Sequence, residues 1–208
     1  MSLTSTMNVT GPVRRSRAGL RKVVLALVAT MLVGTAGPAL AEDAAVRYMR
    51  LVAKDLIAAN NSGSAVAFAE AINRHAHVKA IGTYALGSHS RRLKPAESGS
   101  YFAGMVRFIS RYAASESQKY QVANAEFLGP AYRTKSGVMV DTRVHLKSGQ
   151  TYDVQWLLQP SSGGYRVRDA RVQVVLADYW LTPFLKDLFE KYITENGSVA
   201  ALVVALSR

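Results

Sequence analysis

The chain has 208 residues, of which 26 are basic, 14 are acidic and none is cysteine. With no thiol there is no cysteine nucleophile, no thiolate metal site and no disulfide staple, so a domain of this length must rely on its apolar core. The formal net charge of +12 draws the protein towards anionic surfaces such as phospholipid headgroups or nucleic acid.

The charge is unevenly placed. Arg14, Arg15, Arg17, Arg21 and Lys22 form a basic region without an acidic residue. An apolar run from Val23 to Val33 follows, then Gly34 to Pro38, then Ala39-Leu40-Ala41 before Glu42. This is the layout of a cleavable secretory signal, and the run is shorter than the roughly 20 residues that span a bilayer. The sequence therefore predicts a signal peptide over residues 1–41, cleaved near Ala41-Glu42, and a domain over 42–208 in the periplasm. Removing the signal takes five basic residues with it and leaves a net charge of +7. Export separates the protein from ATP and nicotinamide pools and from nucleic acid. The absence of cysteine suits a bacterial periplasm.

The first half of the domain reads as helices. Val46, Met49, Leu51, Val52, Leu56 and Ile57 recur at near-helical spacing over Glu42 to Ala59. Asn60 to Ser64 closes that helix, and Ser64 caps a second one over Ala65 to Ala76. A short segment, His77 to Leu86, carries Val78, Ile81, Tyr84 and Leu86. Pro95 with Glu97 nearby starts a long helix that extends to about Tyr120, with Phe102, Met105, Val106, Ile109, Tyr112 and Ala113 as its apolar stripe. Gly99 and Gly104 weaken that helix and would let another element pack close.

Strands follow. Gln121 to Leu128 supplies an early strand. Val138, Val140, Thr142, Val144 and Leu146 alternate with polar neighbours up to the turn Lys147 to Gln150. Tyr152, Val154, Trp156 and Leu158 alternate up to the turn Pro160 to Gly164, and a third strand runs from Tyr165 to Leu176. This is a β-meander with one apolar face. The third strand loses its alternation around Asp169-Ala170, where a bulge or bend would restore it. Thr182-Pro183 reads as cap and first helical position of a helix burying Phe184, Leu185, Leu188, Phe189 and Tyr192. Asn196-Gly197-Ser198 stops it and caps a last helix, Val199 to Leu206. Helices, then strands, then helices again predict an α+β fold. Its plan is a twisted antiparallel sheet packed against N-terminal and C-terminal helices, NTF2-like and cone-shaped, with a helical subdomain.

Catalytic signatures are sparse. His75-Ala76-His77 lies on a helical segment with no carboxylate at ligand spacing, which argues against a metal site. Gly87-Ser88-His89 lacks the glycine that would complete a nucleophile elbow, and Gly163-Gly164 lacks the lysine and helix of a phosphate loop. No cofactor is expected. The strongest enzymatic alternative is a small periplasmic isomerase or dehydratase of the cone-shaped type, with Asp141, Asp153 or Asp169 and Tyr84 or Tyr112 as acid–base groups.

Ile81-Gly82-Thr83-Tyr84-Ala85-Leu86-Gly87, Pro95, Tyr101-Phe102 and the run to Tyr112 resemble the N-terminal helical part of the MlaC family, the periplasmic phospholipid-binding proteins also called toluene-tolerance proteins. Gly164-Tyr165-Arg166-Val167-Arg168-Asp169 resembles that family's strand ending in an aspartate. Val175-Leu176, the helix with Tyr179 and Phe184, and the closing Asn196-Gly197 with Leu202 and Leu206 extend the likeness over most of the domain. Tyr165 stands where the family often has tryptophan, Ser90 where an aromatic is common and Leu181 where arginine is frequent. These departures resemble a divergent, hopanoid-associated subgroup called HpnM.

The resemblance implies a monomeric, non-catalytic carrier for phospholipid or a hopanoid-like lipid. Such a carrier works between an inner-membrane ABC-type lipid transporter and an outer-membrane complex. On that basis the expected pocket walls are Val140, Thr142, Val144, Val154 and Trp156 from the sheet, and Ile81, Tyr84, Phe108, Tyr112, Tyr179 and Phe184 from the helices. Arg91, Arg92 and Lys94 are the expected contacts for a headgroup or membrane.

Overall fold

A computed structural model describes residues 43–174 and 177–208. The expected signal over 1–41 and the pair Val175-Leu176 lie outside the described residues. The first helix, α1 (Ala44–Ser62), starts where Asp43 Oδ1 accepts from Ala45 N at 2.7 Å. It ends at Gly63, whose φ of +63° admits the left-handed turn at little steric cost. Ala45, Val46, Met49 and Val52 are its buried face, whereas Leu51, expected on the stripe, is exposed to solvent.

Ser64 caps α2 (Ala65–His75) as expected, its Oγ accepting from Ala67 N at 3.3 Å. The short segment after it is helical, α3 (Val78–Ala85), and leads into a 3₁₀ turn over Gly87–Arg92. Helix α4 (Pro95–Ser117) begins with proline in its first turn and Glu97 close behind. Of its two flagged glycines, only Gly104 marks a close approach. A Cβ there would lie 2.8 Å from Leu206 Cβ, while a Cβ on Gly99 would meet nothing within 4 Å.

The described strands form one antiparallel sheet in the order β1 (Val122–Phe127), β3 (Gly137–Leu146), β4 (Thr151–Ser161), β5 (Gly164–Val174), β6 (Ala177–Trp180). The short β2 (Tyr132–Thr134) pairs beside β1 on the free edge of β3. The meander registers Val140 opposite Trp156 and Thr142 opposite Val154. The bulge expected near Asp169 is present. Leu157 pairs with Asp169 and Leu158 with Val167, so Arg168 is the extra residue. Val167 and Ala170 thereby share the inner face with Leu158 and Trp156, which uninterrupted alternation would forbid.

Beyond β2 and the 3₁₀ turn, which the sequence did not suggest, the end of the sheet differs from expectation. β6 folds back on β5, with Val172 opposite Tyr179, where the sequence suggested a direct passage to helix. Helix α5 (Leu181–Asn196) then starts one residue before Thr182, and Thr182 does not cap it. The Thr182 backbone N–H instead donates to Asp169 Oδ1 at 2.9 Å, so the start of this helix is anchored by the sheet. The last helix, α6 (Val199–Ser207), is capped by Ser198 Oγ accepting from Ala201 N at 3.1 Å.

The core has two parts. One joins the helices, with Leu86, Tyr101, Met105, Phe189, Ile193, Leu202 and Leu206 packed among α3 to α6. Tyr101 gives its buried hydroxyl to Gly82 O at 2.8 Å, and burial pushes that phenol well up from its ordinary value. The other lays α1 on the sheet, with Val46, Met49 and Val52 against Val138, Val140 and Leu158. Each large aliphatic side chain buried in this way contributes about 1.5–3 kcal/mol.

Candidate functional site

Between helices and sheet lies a largely apolar cavity of about 640 Å³. That falls within the roughly 300–1,000 Å³ of ordinary ligand pockets. Its floor is Trp156 on β4 with Val167, Asp169 and Ala170 on β5. One wall is α1 and α2, through Val52, Leu56, Phe68, Ala71, Ile72 and His75. A second is α4, through Phe108, Ile109, Tyr112 and Ala113. Ile81 of α3 and Leu181, Thr182, Phe184, Leu185 and Leu188 of α5 complete the lining.

The space has a plain origin. Ala71, Ala76, Ala113 and Ala170 stand in the lining, and methyl side chains leave room that leucines would fill. Trp156 Nε1 donates to Thr142 Oγ1 at 2.9 Å, and Thr142 Oγ1 donates to Val154 O at 3.2 Å. The indole's one polar atom is thus satisfied within the protein, which leaves hydrocarbon to face the cavity. At the rim, Tyr112 is 63% and Phe184 56% exposed, with Leu181 and Leu188 also open to solvent.

Three polar side chains interrupt the lining, and each is occupied. His75 Nε2–H donates to Asp55 Oδ2 at 2.8 Å, and Arg74 Nη1 donates to the same oxygen at 2.7 Å. The His75 hydrogen bond, aided by Arg74, holds the Asp55 carboxyl below the usual range. Asp169 Oδ1 accepts from Ala170 N and from Thr182 N, each at 2.9 Å. Burial beside the apolar lining pushes its carboxyl upward, while these donors and Arg168 pull the other way. The Thr182 hydroxyl donates to Arg168 O at 3.4 Å. His77, the other half of the histidine pair, accepts from Ala80 N at 3.4 Å and so caps α3.

Of the residues expected to wall a pocket, Ile81, Phe108, Tyr112, Trp156 and Phe184 meet around this cavity. The others do not. Val140 is fully buried under α1, and Val154 is buried on the same sheet face without reaching the cavity. Thr142 is buried as well and acts through Trp156. Val144 is half-buried further along β3, opposite Tyr152. α1 covers this stretch of sheet, which alternation alone did not reveal. Tyr84 stands on a neighbouring face of α3, its ring centroid 5.5 Å from the Arg168 guanidinium carbon. Tyr179 is exposed, with its ring 5.9 Å from that of Phe184. Arg91 and Arg92 lie exposed on the 3₁₀ turn and Lys94 exposed before α4, all outside the cavity lining. Sequence reasoning missed the contributions of α2 and of Leu181, Leu185 and Leu188. The signal available was the apolar periodicity of both helices.

The MlaC protein family model matches residues 47–206, nearly the whole described domain. This chain belongs to the MlaC family. The match includes every element that lines the cavity. Among solved structures, the MlaC-family chain is similar to a phospholipid-binding protein from Ralstonia solanacearum, whose structure holds a phospholipid. The two share 18% identity over 80% of this chain and 95% of that one, with a TM-score of 0.59, which establishes a common α+β fold. No curated protein sequence matches this family member significantly.

Proposed function

We propose that this protein is a periplasmic lipid carrier that binds a phospholipid, or a hopanoid-like lipid, with its tails in the apolar cavity. The observation that carries this reading is a cavity of about 640 Å³ floored by Trp156 and opened by an exposed apolar rim. Membership of the MlaC family supports it, as does the likeness to a protein whose structure contains a phospholipid. Moving an acyl chain through water costs about 0.8 kcal/mol per exposed methylene. A carrier must therefore bury the tails, and the charged headgroup can remain outside.

The proposed cycle needs no covalent step. The protein, acting as a monomer, takes lipid from one membrane complex and releases it where another offers comparable burial. An inner-membrane ABC-type transporter and an outer-membrane complex are the partners this requires. The carrier reading is favoured over an isomerase because each candidate carboxylate, including Asp169 in the cavity lining, already holds a structural partner. Asp141 accepts from Gln155 Nε2 at 3.1 Å, Asp153 is held by Arg143 at 2.7 and 2.9 Å, and Asp169 anchors α5.

Native mass spectrometry of the exported protein, followed by solvent extraction, tests the proposal. Recovery of about one lipid per chain is the expected result. A chain that stays free of lipid after incubation with phospholipid vesicles would overturn it.

A further inference from the structure

Beside the cavity, α3, the 3₁₀ turn, β5 and α5 border an open groove of about 710 Å³. Its charged lining is cationic: Lys79, Arg168 and Lys186, with no carboxylate among the lining residues. Lys79 is exposed and has no ion pair among the described residues. Arg168 is the extra residue of the β5 bulge, and a bulge re-aims its side chain away from the sheet's regular alternation. Its guanidinium lies over the Tyr84 ring at 5.5 Å, which directs the fork without consuming its donors in an ion pair. Lys186 Nζ is 2.8 Å from Glu190 Oε2, so it is the partly neutralised member of the three. The hydroxyls of Thr83 and Ser90 add donors.

The groove and the cavity have no lining residue in common, but consecutive residues of the same elements line the two. Arg168 lines the groove, while Val167 and Asp169 on either side of it line the cavity. Lys186 follows the cavity residue Leu185, and Ala80 precedes the cavity residue Ile81. Consecutive Cα atoms are only about 3.8 Å apart. Three elements (α3, β5 and α5) thus each give a residue to the cationic groove and its chain neighbour to the apolar lining, an arrangement suited to an amphiphile. Fixed charges with separate hydroxyl donors suit a tetrahedral oxyanion, which accepts from several directions.

We propose that this groove is a phosphate-recognition site, occupied by the phosphate of a lipid whose tails lie in the neighbouring cavity. The inference rests on the lipid-binding reading for the source of that phosphate, but the groove's own chemistry does not. It also moves the headgroup contact from Arg91, Arg92 and Lys94 to Lys79 and Arg168.

The test compares the full chain with Lys79→Gln/Arg168→Gln, and with Lys79→Glu alone should the double variant fold poorly. Each is incubated with phosphatidylcholine vesicles doped with phosphatidylglycerol or with diacylglycerol of the same acyl chains, and the retained lipid is quantified by mass spectrometry. The wild type should favour phosphatidylglycerol over diacylglycerol by at least about tenfold, and the variants should lose most of that preference while taking up diacylglycerol as before. In parallel, inorganic phosphate is titrated while the amide resonances of Lys79, Thr83 and Ser90 are followed. Shifts there with an unchanged lipid preference would assign the site to free phosphate and overturn the lipid as its source. Variants that keep the full preference, with no shift of these amides, would overturn the site altogether. A wild type that retains neither lipid would count against the carrier reading, while the phosphate titration would still decide the groove.

Discussion

Two stretches of one sheet face meet different fates. Under α1, Val138, Val140 and Leu158 are packed against Val46, Met49 and Val52. A few residues away on the same face, Trp156 and Ala170 look into a cavity, and Val167 with Val52 of α1 stands at the boundary, packed in the cluster and lining the cavity as well. Both stretches are apolar, so hydrophobicity does not separate them. The difference lies in what stands opposite. α1 brings branched and long side chains down onto the first stretch. Over the second, the facing residues include Ala71 and Ala113, and α5 stands off with part of its apolar side exposed. A hollow of this kind is built from small residues and helix placement, at a cost in packing that the two filled clusters must offset.

Substitution on the filled side should have the largest effect. Leu158→Ala should cost about 2–5 kcal/mol, read as a lower urea midpoint, because Leu158 is fully buried between α1 and the sheet. Lipid retained per folded molecule should not change. Next comes a matched pair of enlargements. Ala45→Leu forces bulk into the filled cluster and should cost about 1–3 kcal/mol, whereas Ala113→Leu grows into the cavity and should cost less than about 1 kcal/mol. Only the second should displace lipid in native mass spectrometry. Equal destabilisation by both would mean that the cavity is closed in solution.

The anchor that joins the two regions gives a smaller effect. Asp169→Ala leaves the Thr182 N–H without its acceptor and should cost about 1–2 kcal/mol. Asp169→Asn keeps an acceptor and should change the pH profile more than the stability. Burial holds the folded-state pKa of Asp169 above its unfolded value, so the folded protein binds more protons in the window between the two. The stabilisation from this group is full below the unfolded value and is lost as pH rises through the folded one. Denaturant melts across the mildly acidic range should show that slope in the wild type and a flatter one in Asp169→Asn. The smallest effect belongs to the rim. Phe184→Ser should alter stability by less than about 0.5 kcal/mol, because the ring is more than half exposed, yet it should slow lipid uptake from vesicles.

Much of the architecture was legible from local chemistry. Ser64 and Ser198 announce their helices, Pro95 with Glu97 opens α4, and strict alternation over Val138–Leu146 and Tyr152–Leu158 yields the meander. The bulge at Arg168 was legible as a loss of alternation. The passages that misled were those decided at a distance. Thr182-Pro183 has the composition of a cap, but the helix start takes its acceptor from Asp169, thirteen residues earlier. The pocket walls were assigned to the whole apolar sheet face, whereas α1 claims Val140 and Val154 lies buried outside the cavity, leaving Trp156 as the one of those five to reach it. β6 follows no periodic signal in four residues and depends on pairing with β5.

Residue type and the periods of two and 3.6 suffice for the cysteine-free composition, the basic charge, the α+β order of elements and the apolar face of each. Which apolar residues are core and which line a hollow is set by packing at a distance. That choice depends on which helix crosses which strand and on whether alanine or leucine faces the gap. The same packing sets three cations, drawn from α3, β5 and α5, side by side next to the cavity lining. No local pattern encodes such a meeting, because the residues that form it are separated by up to about a hundred positions of chain and are joined only by packing.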